Sequence, residues 1–168
     1  MRILDFDVIA PSVFSEQEID EAQLFGAFAT IWLRSDYHSK APLYKFAERI
    51  LPILRTKQFA LFIQDKVPVA YFSWAAFSQE MENAYLVDDD VLLTQANWQS
   101  GSLLWIIDWF ASDGVGKKLK PIIANHLFPH EIMTALYHKS SQGNIRKLYF
   151  KGSAVSKEAF ESFIRNHQ

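Results

Sequence analysis

Cysteine is absent from this chain of 168 residues. That removes disulfides, thiolate metal sites and a cysteine nucleophile together, and it fits a reducing, cytoplasmic setting. Glycine and proline are scarce, six of each, and nowhere do they gather with serine into a linker. One domain spanning residues 1–168 is therefore expected. Long apolar runs are missing too. The longest uncharged window, residues 91–107, holds Thr94, Gln95, Asn97, Gln99 and Ser100, so stable membrane insertion is not expected. Asp5 and Asp7 interrupt the opening residues, which makes them unlike a signal peptide. A net charge of -2 gives no basis for nucleic-acid binding. His126 and His130 stand four apart, but Pro129 lies between them and no third ligand is evident, so no metal site is expected.

What the chain does have is apolar and aromatic mass, 49% and 15% of its residues, enough for a substantial core. Its charge is unevenly spread. Residues 1–113 carry 16 acidic and 8 basic side chains, and residues 114–168 carry 3 and 9. A C-terminal part of such sign suits an anionic ligand or partner.

Apolar periodicity predicts helices over residues 16–32, with Ser15 as N-cap, and over residues 42–57, where Pro52 kinks or ends the helix. The run 59–63, a turn at Gln64-Asp65-Lys66 and the run 67–74 read as a β-hairpin. A short helix is predicted at 78–86 and a solvated loop at 88–90. Residues 103–110, Leu-Leu-Trp-Ile-Ile-Asp-Trp-Phe, read as a buried central strand. A Gly-bearing loop with Gly114 and Gly116, then a helical stretch at 119–127, follow it. Such a loop presents backbone N–H groups to a phosphate. Strands at 132–137 and 148–150, joined by a turn around 140–144, and an amphipathic helix at 155–164 complete the chain. The first 15 residues read as an extension or a loosely packed strand. Helices around a largely antiparallel sheet make an α/β (α+β) fold.

Asp108 is anomalous between Ile107 and Trp109, because a buried carboxylate is costly unless it is paired or works at a site. Around it, in order, stand Ser35-Asp36-Tyr37-His38, Leu51-Pro52-Ile53-Leu54-Arg55, Pro68-Val69-Ala70-Tyr71-Phe72-Ser73-Trp74, Trp98-Gln99-Ser100-Gly101 and Trp105-Ile106-Ile107-Asp108-Trp109. From about residue 26 to 152 this series resembles the RTX toxin-activating lysine acyltransferases, the hemolysin C-like family. Asp36-Tyr37 stands where that family usually has proline, and Ser112-Asp113 replaces its usual continuation after the Asp-Trp strand. Residues 1–25 look like an extension on a typical member.

The resemblance implies a GNAT-like fold and transfer of a fatty acyl group from acyl carrier protein to internal lysines of an RTX-type protoxin. It implies a catalytic pair at His38 and Asp108, and no permanently bound cofactor, with the acyl carrier's phosphopantetheine thioester as co-substrate. Amide formation needs a neutral amine, and a lysine with pKa near ~10.4 needs a base, a task that suits histidine. Asp108 would orient His38 and stabilise its imidazolium. Ser35 is a candidate to assist proton transfer. Direct transfer is the expected path, with a transient acyl-histidine as the alternative. Gly114, Gly116, Lys117 and Lys118 are expected to hold the donor's phosphate, in a loop lacking the leading Gln or Arg of acyl-CoA-binding GNAT enzymes. Lys117, Lys118 and Lys120 suit an acidic carrier protein. Tyr71, Trp74, Trp105 and Trp109 divide between an acyl groove and the core. A catalytically inactive GNAT-like binding module is the other reading, and a homodimer stays open.

Overall fold

Alternation of buried side chains along two long strands organises the molecule. The structure, a computed structural model, describes residues 1–14, 18–88, 91, 94–112, 114–138 and 145–167. Strands β3 (Phe59–Gln64) and β4 (Val67–Phe77) form the expected hairpin. Its two turn residues, Asp65 and Lys66, both take positive φ, 50° and 66°, the geometry whose twist matches that of the flanking strands. Phe59, Leu61, Tyr71, Ala75 and Phe77 face one core, while Ala60, Phe62, Ala70, Phe72 and Trp74 face another. The sheet is thus covered on both faces, and its central strands are apolar along most of their length.

Seven strands lie in sequence order: β1 (Arg2–Ile3), β2 (Phe6–Ile9), β3, β4, β5 (Leu103–Ala111), β6 (Ile132–His138) and β7 (Ile145–Lys151). All neighbours are antiparallel except β5 and β6. That parallel pair needs a crossover, supplied by α5 (Gly116–Ile122) and a π-helical turn, Ile123–Leu127. On the first face lie α1 (Glu21–Leu33), α2 (Leu43–Thr56), α3 (Gln79–Val87) and α4 (Gln95–Trp98), with Phe28, Ile50 and Trp98 fully or almost fully buried. The second face is covered by α5, the π turn and side chains of the N-terminal hairpin. A last helix, α6 (Lys157–His167), follows β7. The arrangement is the mixed, mostly antiparallel α/β sheet of a GNAT-like fold.

Several local expectations change. The first residues are not loosely packed: β2 pairs with β3, and Phe6 and Val8 are wholly buried. Helix α1 begins at Glu21, where the Asp20 side chain accepts the Gln23 N–H at 3.0 Å, a standard cap for an otherwise orphaned donor. The expected cap Ser15 lies outside the described residues, as does the turn at 140–144. Pro52 does not end α2, which runs on to Thr56. The Thr56 hydroxyl donates to the Pro52 carbonyl at 2.9 Å, and Lys57 closes the helix at φ 60°. Of the four candidate groove aromatics, Tyr71, Trp74 and Trp105 are core residues, whereas Trp109 borders a cavity.

Candidate active site

The turn after α1 is short and tightly tied. Ser35, itself buried, accepts the His38 backbone N–H at 3.2 Å and lies 2.8 Å from His38 Nδ1. His38 opens a 3-10 turn, His38–Lys40, before Pro42 starts α2. The Trp32 ring, one turn back on α1, packs against the imidazole at 4.5 Å. His38 is therefore held on two sides, with only 12% of its side chain exposed. It is not the solvated loop histidine that its polar neighbours in sequence would give.

A β-bulge aims Asp108 at this histidine. Along β4 the alternation is unbroken, but β5 carries one extra residue. Ser73 pairs with Asp108 and Trp74 with Ile106, leaving Ile107 unmatched. Strict alternation from Ile106 would turn Asp108 to the first face's opposite. The extra residue keeps it level with Ser73, on the side of Tyr71 and α1. Asp108 Oδ2 consequently lies 3.5 Å from His38 Nε2. Residues 70 positions apart are in this way brought together, the pair expected from the resemblance.

The same carboxylate oxygen accepts a hydrogen bond from the Tyr71 hydroxyl. Tyr71 is wholly buried, and its hydroxyl accepts in turn from Trp32 Nε1 at 2.8 Å. Burial, then the Asp108 charge and the hydrogen bond to it, push the phenol well above its ordinary value of 10.0. It stays a neutral donor. Trp32 does not stand out in the sequence as a site residue, and Tyr71 does so only as a candidate for an acyl groove, because both fit the apolar periodicity of their elements. The available signal was chemical: a buried carboxylate needs a donor, and a buried tyrosine or tryptophan brings one.

Asp108 and His38 open into a cleft of about 700 Å³ bordered by Trp32, Tyr85 and Ile107, with Lys40, Lys45 and Arg49 as its cations. Behind Asp108 the sheet parts. Strands β5 and β6 pair only at Leu104–Met133, Trp105–Thr134 and Ile106–Ala135. Beyond Ile106 a gap of about 330 Å³ lies between Ile107, Asp108, Trp109 and Leu136. Through Ile106, Trp109 and Phe150 it borders an apolar chamber of about 240 Å³ on the second face. Phe128, Met133 and Phe160 complete that chamber, with Lys120 and Lys151 among its polar groups.

Gly114, Gly116, Lys117 and Lys118 are not brought to the His38 cleft. They form the loop and first turn of α5, with Gly114 at φ 78° and Lys118 paired to Asp5 at 3.5 Å. Among the described residues no group of three His, Cys, Asp or Glu side chains could hold a metal ion, and no helix is long and apolar enough to cross a membrane.

A sheet that parts beside a histidine–carboxylate pair, with a cleft on one face and an apolar chamber on the other, is the framework of a GNAT-like acyltransferase. The family model of the RTX toxin acyltransferases matches residues 17–151. Protein-lysine myristoyltransferase RtxC of Kingella kingae is 32% identical over 149 residues, covering 86% of each chain. Leukotoxin-activating lysine-acyltransferase LktC serotype A11 of Mannheimia haemolytica is 32% identical over 146 residues, also 86% of each chain. Protein-lysine myristoyltransferase HlyC of Escherichia coli is 31% identical over 147 residues, covering 86% of this chain and 82% of its own. The chain belongs to the RTX toxin acyltransferase family and is an acyltransferase.

Proposed function

We propose that the protein moves a fatty acyl group from an acyl carrier protein to ε-amino groups of internal lysines in an RTX-type protoxin, in the cytoplasm. The observation that carries this is the meeting of His38 and Asp108 where the cleft joins the gap in the sheet. Ser35 Oγ accepts from the His38 backbone and lies beside Nδ1. With the Nδ1 proton directed to Ser35, the Nε2 lone pair faces Asp108 across 3.5 Å. A lysine ammonium entering there donates to both acceptors.

His38 Nε2 takes one ammonium proton, and Asp108 stabilises the imidazolium formed. The freed amine attacks the thioester carbonyl, forming the C–N bond. Collapse of the tetrahedral adduct breaks the C–S bond, and His38 gives its proton to the departing thiolate. The nitrogen's remaining extra proton leaves through the freed His38 base to water, so that a neutral amide and a thiol result. No acyl-cysteine is available to a chain without cysteine; direct transfer is the preferred path, with a transient acyl-histidine as the alternative.

The donor's pantetheine arm is assigned to the apolar chamber and gap, and the acidic carrier to the basic C-terminal part, with Gly114, Gly116, Lys117 and Lys118 near its phosphate. The comparison enzymes named for lysine acylation and toxin activation support the acceptor class. The deciding measurement is mass spectrometry of an RTX protoxin incubated with this protein and acyl-acyl carrier protein. A fatty-acyl increment on lysine, lost with His38→Gln, is expected. An unmodified protoxin would overturn the assignment, and equal use of acyl-CoA would overturn the carrier as donor.

A further inference from the structure

The carboxylate of Asp108 is held by a chain of donors that begins outside the catalytic turn. Trp32 Nε1 donates to the Tyr71 hydroxyl at 2.8 Å, and that hydroxyl donates to Asp108 Oδ2. A tyrosine hydroxyl has one proton, and an indole N–H can only donate. With Trp32 occupying one lone pair, the Tyr71 proton is left to point at Asp108. Packing makes the arrangement stiff. Tyr71 is wholly buried, with Phe28 edge-on at 5.0 Å. Trp32 meets Phe46 edge-on at 5.1 Å and lays its own ring against His38 at 4.5 Å. Trp32 therefore touches the base through its face and the carboxylate through its nitrogen and Tyr71.

We infer that Tyr71 is a positioning residue of the acyl-transfer site, oriented by Trp32, that fixes Asp108 Oδ2 opposite His38 Nε2. The inference rests on the reading of His38 and Asp108 as the proton-handling pair. A carboxylate on a strand that has just left its β6 partner lacks the rigidity of a paired sheet interior. Tyr71 supplies it from β4, the strand that stays paired on both sides through the site. The charged groups around this chain of donors are Asp108 on β5, His38 in the turn, and Lys40, Lys45 and Arg49 bordering the cleft from the turn and α2. Arg49 is close enough to oppose the upward push on the Tyr71 phenol.

Tyr71→Phe removes the hydroxyl and keeps the ring. Loss of a hydrogen bond to a charged group lowers turnover about tenfold or more. A carboxylate stripped of a donor holds a proton, and attracts an imidazolium, more strongly. The acid limb of the pH–rate profile for lysine acylation therefore moves to higher pH. A role in packing alone would lower the melting temperature and the amount of active protein without moving that limb. Trp32→Phe keeps an aromatic ring in the core beside His38 and removes the Nε1 donor together with part of the indole. It is expected to move the limb the same way by less. Tyr71→Phe combined with Trp32→Phe should be no worse than Tyr71→Phe alone, because the second change removes a donor already left unpaired. Wild-type turnover and an unmoved acid limb in folded Tyr71→Phe overturn the inference. Should Tyr71→Phe fail to fold, an unmoved limb in Trp32→Phe does so instead. His38→Gln and Asp108→Asn are measured alongside. If both lose activity while Tyr71→Phe does not, only the positioning role falls, and if both stay fully active, the assignment of the pair itself falls.

Discussion

The two faces of the sheet are built differently. On the first face, hydrogen bonds join side chains distant in sequence, Trp32 to Tyr71 and Tyr71 to Asp108, and a local contact sets Ser35 beside His38. On the second face the chamber is bounded by Ile106, Phe128, Met133 and Phe150, with its polar groups, Lys120 and Lys151 among them, few. The first face fixes a few atoms to within a hydrogen bond, as proton transfer requires. The second offers area without direction, which suits a long flexible chain of methylenes. Under the proposed reaction the division has a chemical rationale, since amide formation needs an oriented base whereas an acyl chain needs an apolar path.

Substitutions on the first face should act on rate. His38→Ala is expected to lower kcat by about 10²–10⁴, and Asp108→Asn by about 10², both read as lysine acylation by mass spectrometry. Because His38 packs against Trp32, His38→Ala should also lower the melting temperature, and His38→Gln less so. Equal rates for wild type and both variants would erase the distinction between the faces.

On the second face the expected currency is stability and donor affinity. A Cβ on Gly152 would meet the Phe128 and Pro129 carbonyl oxygens at 2.1 Å and 2.3 Å. Gly152→Ala should therefore force the chamber wall apart and cost about 1–3 kcal/mol, measured by denaturant unfolding, with a higher KM for the acyl donor and little change in the acid limb. An unchanged midpoint would show that this wall gives way freely.

Further out, Lys117→Glu with Lys118→Glu should raise the KM for acyl carrier protein several-fold at low salt, by reversing attraction that reaches about 8–10 Å at physiological salt. Lys118 also pairs with Asp5, so a melting curve separates lost steering from a loosened N-terminal hairpin. Kinetics identical to wild type at low salt would move the carrier's docking surface elsewhere.

The smallest effect concerns alkaline stability. Tyr71 ionises above its ordinary value in the folded chain, while the unfolded chain ionises near ~10. Folded protein then binds more protons than unfolded protein, so stability is intact below about pH 10 and declines as pH rises through the raised value. Tyr71→Phe should flatten this decline. Tyr149, raised by burial and then by the Glu82 charge, leaves a remaining slope. Parallel melting temperatures for both proteins from pH 8 to 11 would count against a neutral, buried Tyr71.

Much of this was legible beforehand. Apolar runs at 59–63 and 67–74 around the Gln64-Asp65-Lys66 turn marked the central hairpin, and the anomaly of Asp108 within an apolar strand marked the candidate site. The motif series tied Asp108 to His38 before any geometry placed them 3.5 Å apart. Of the two outcomes expected at Pro52, an end to the helix did not follow, because a helix pressed against a core by Phe46, Ile50, Ile53 and Leu54 tolerates one lost hydrogen bond. The N-terminal residues misled because strands as short as Arg2–Ile3 and Phe6–Ile9 carry too few residues for a periodicity, although their partner β3 orders them.

By itself the sequence determined the central hairpin, the apolar strand that carries Asp108, the absence of a thiol nucleophile, and the family. Those are properties of local pattern and composition. Only the tertiary structure decided that β5 carries its extra residue at Ile107, that β5 and β6 part beyond Ile106, and that Tyr71 and Trp32 turn their polar edges toward Asp108. Each of these depends on how one strand registers against another. Register is settled by packing across the whole sheet, so residues that look like ordinary core in sequence can become the support of a charged site.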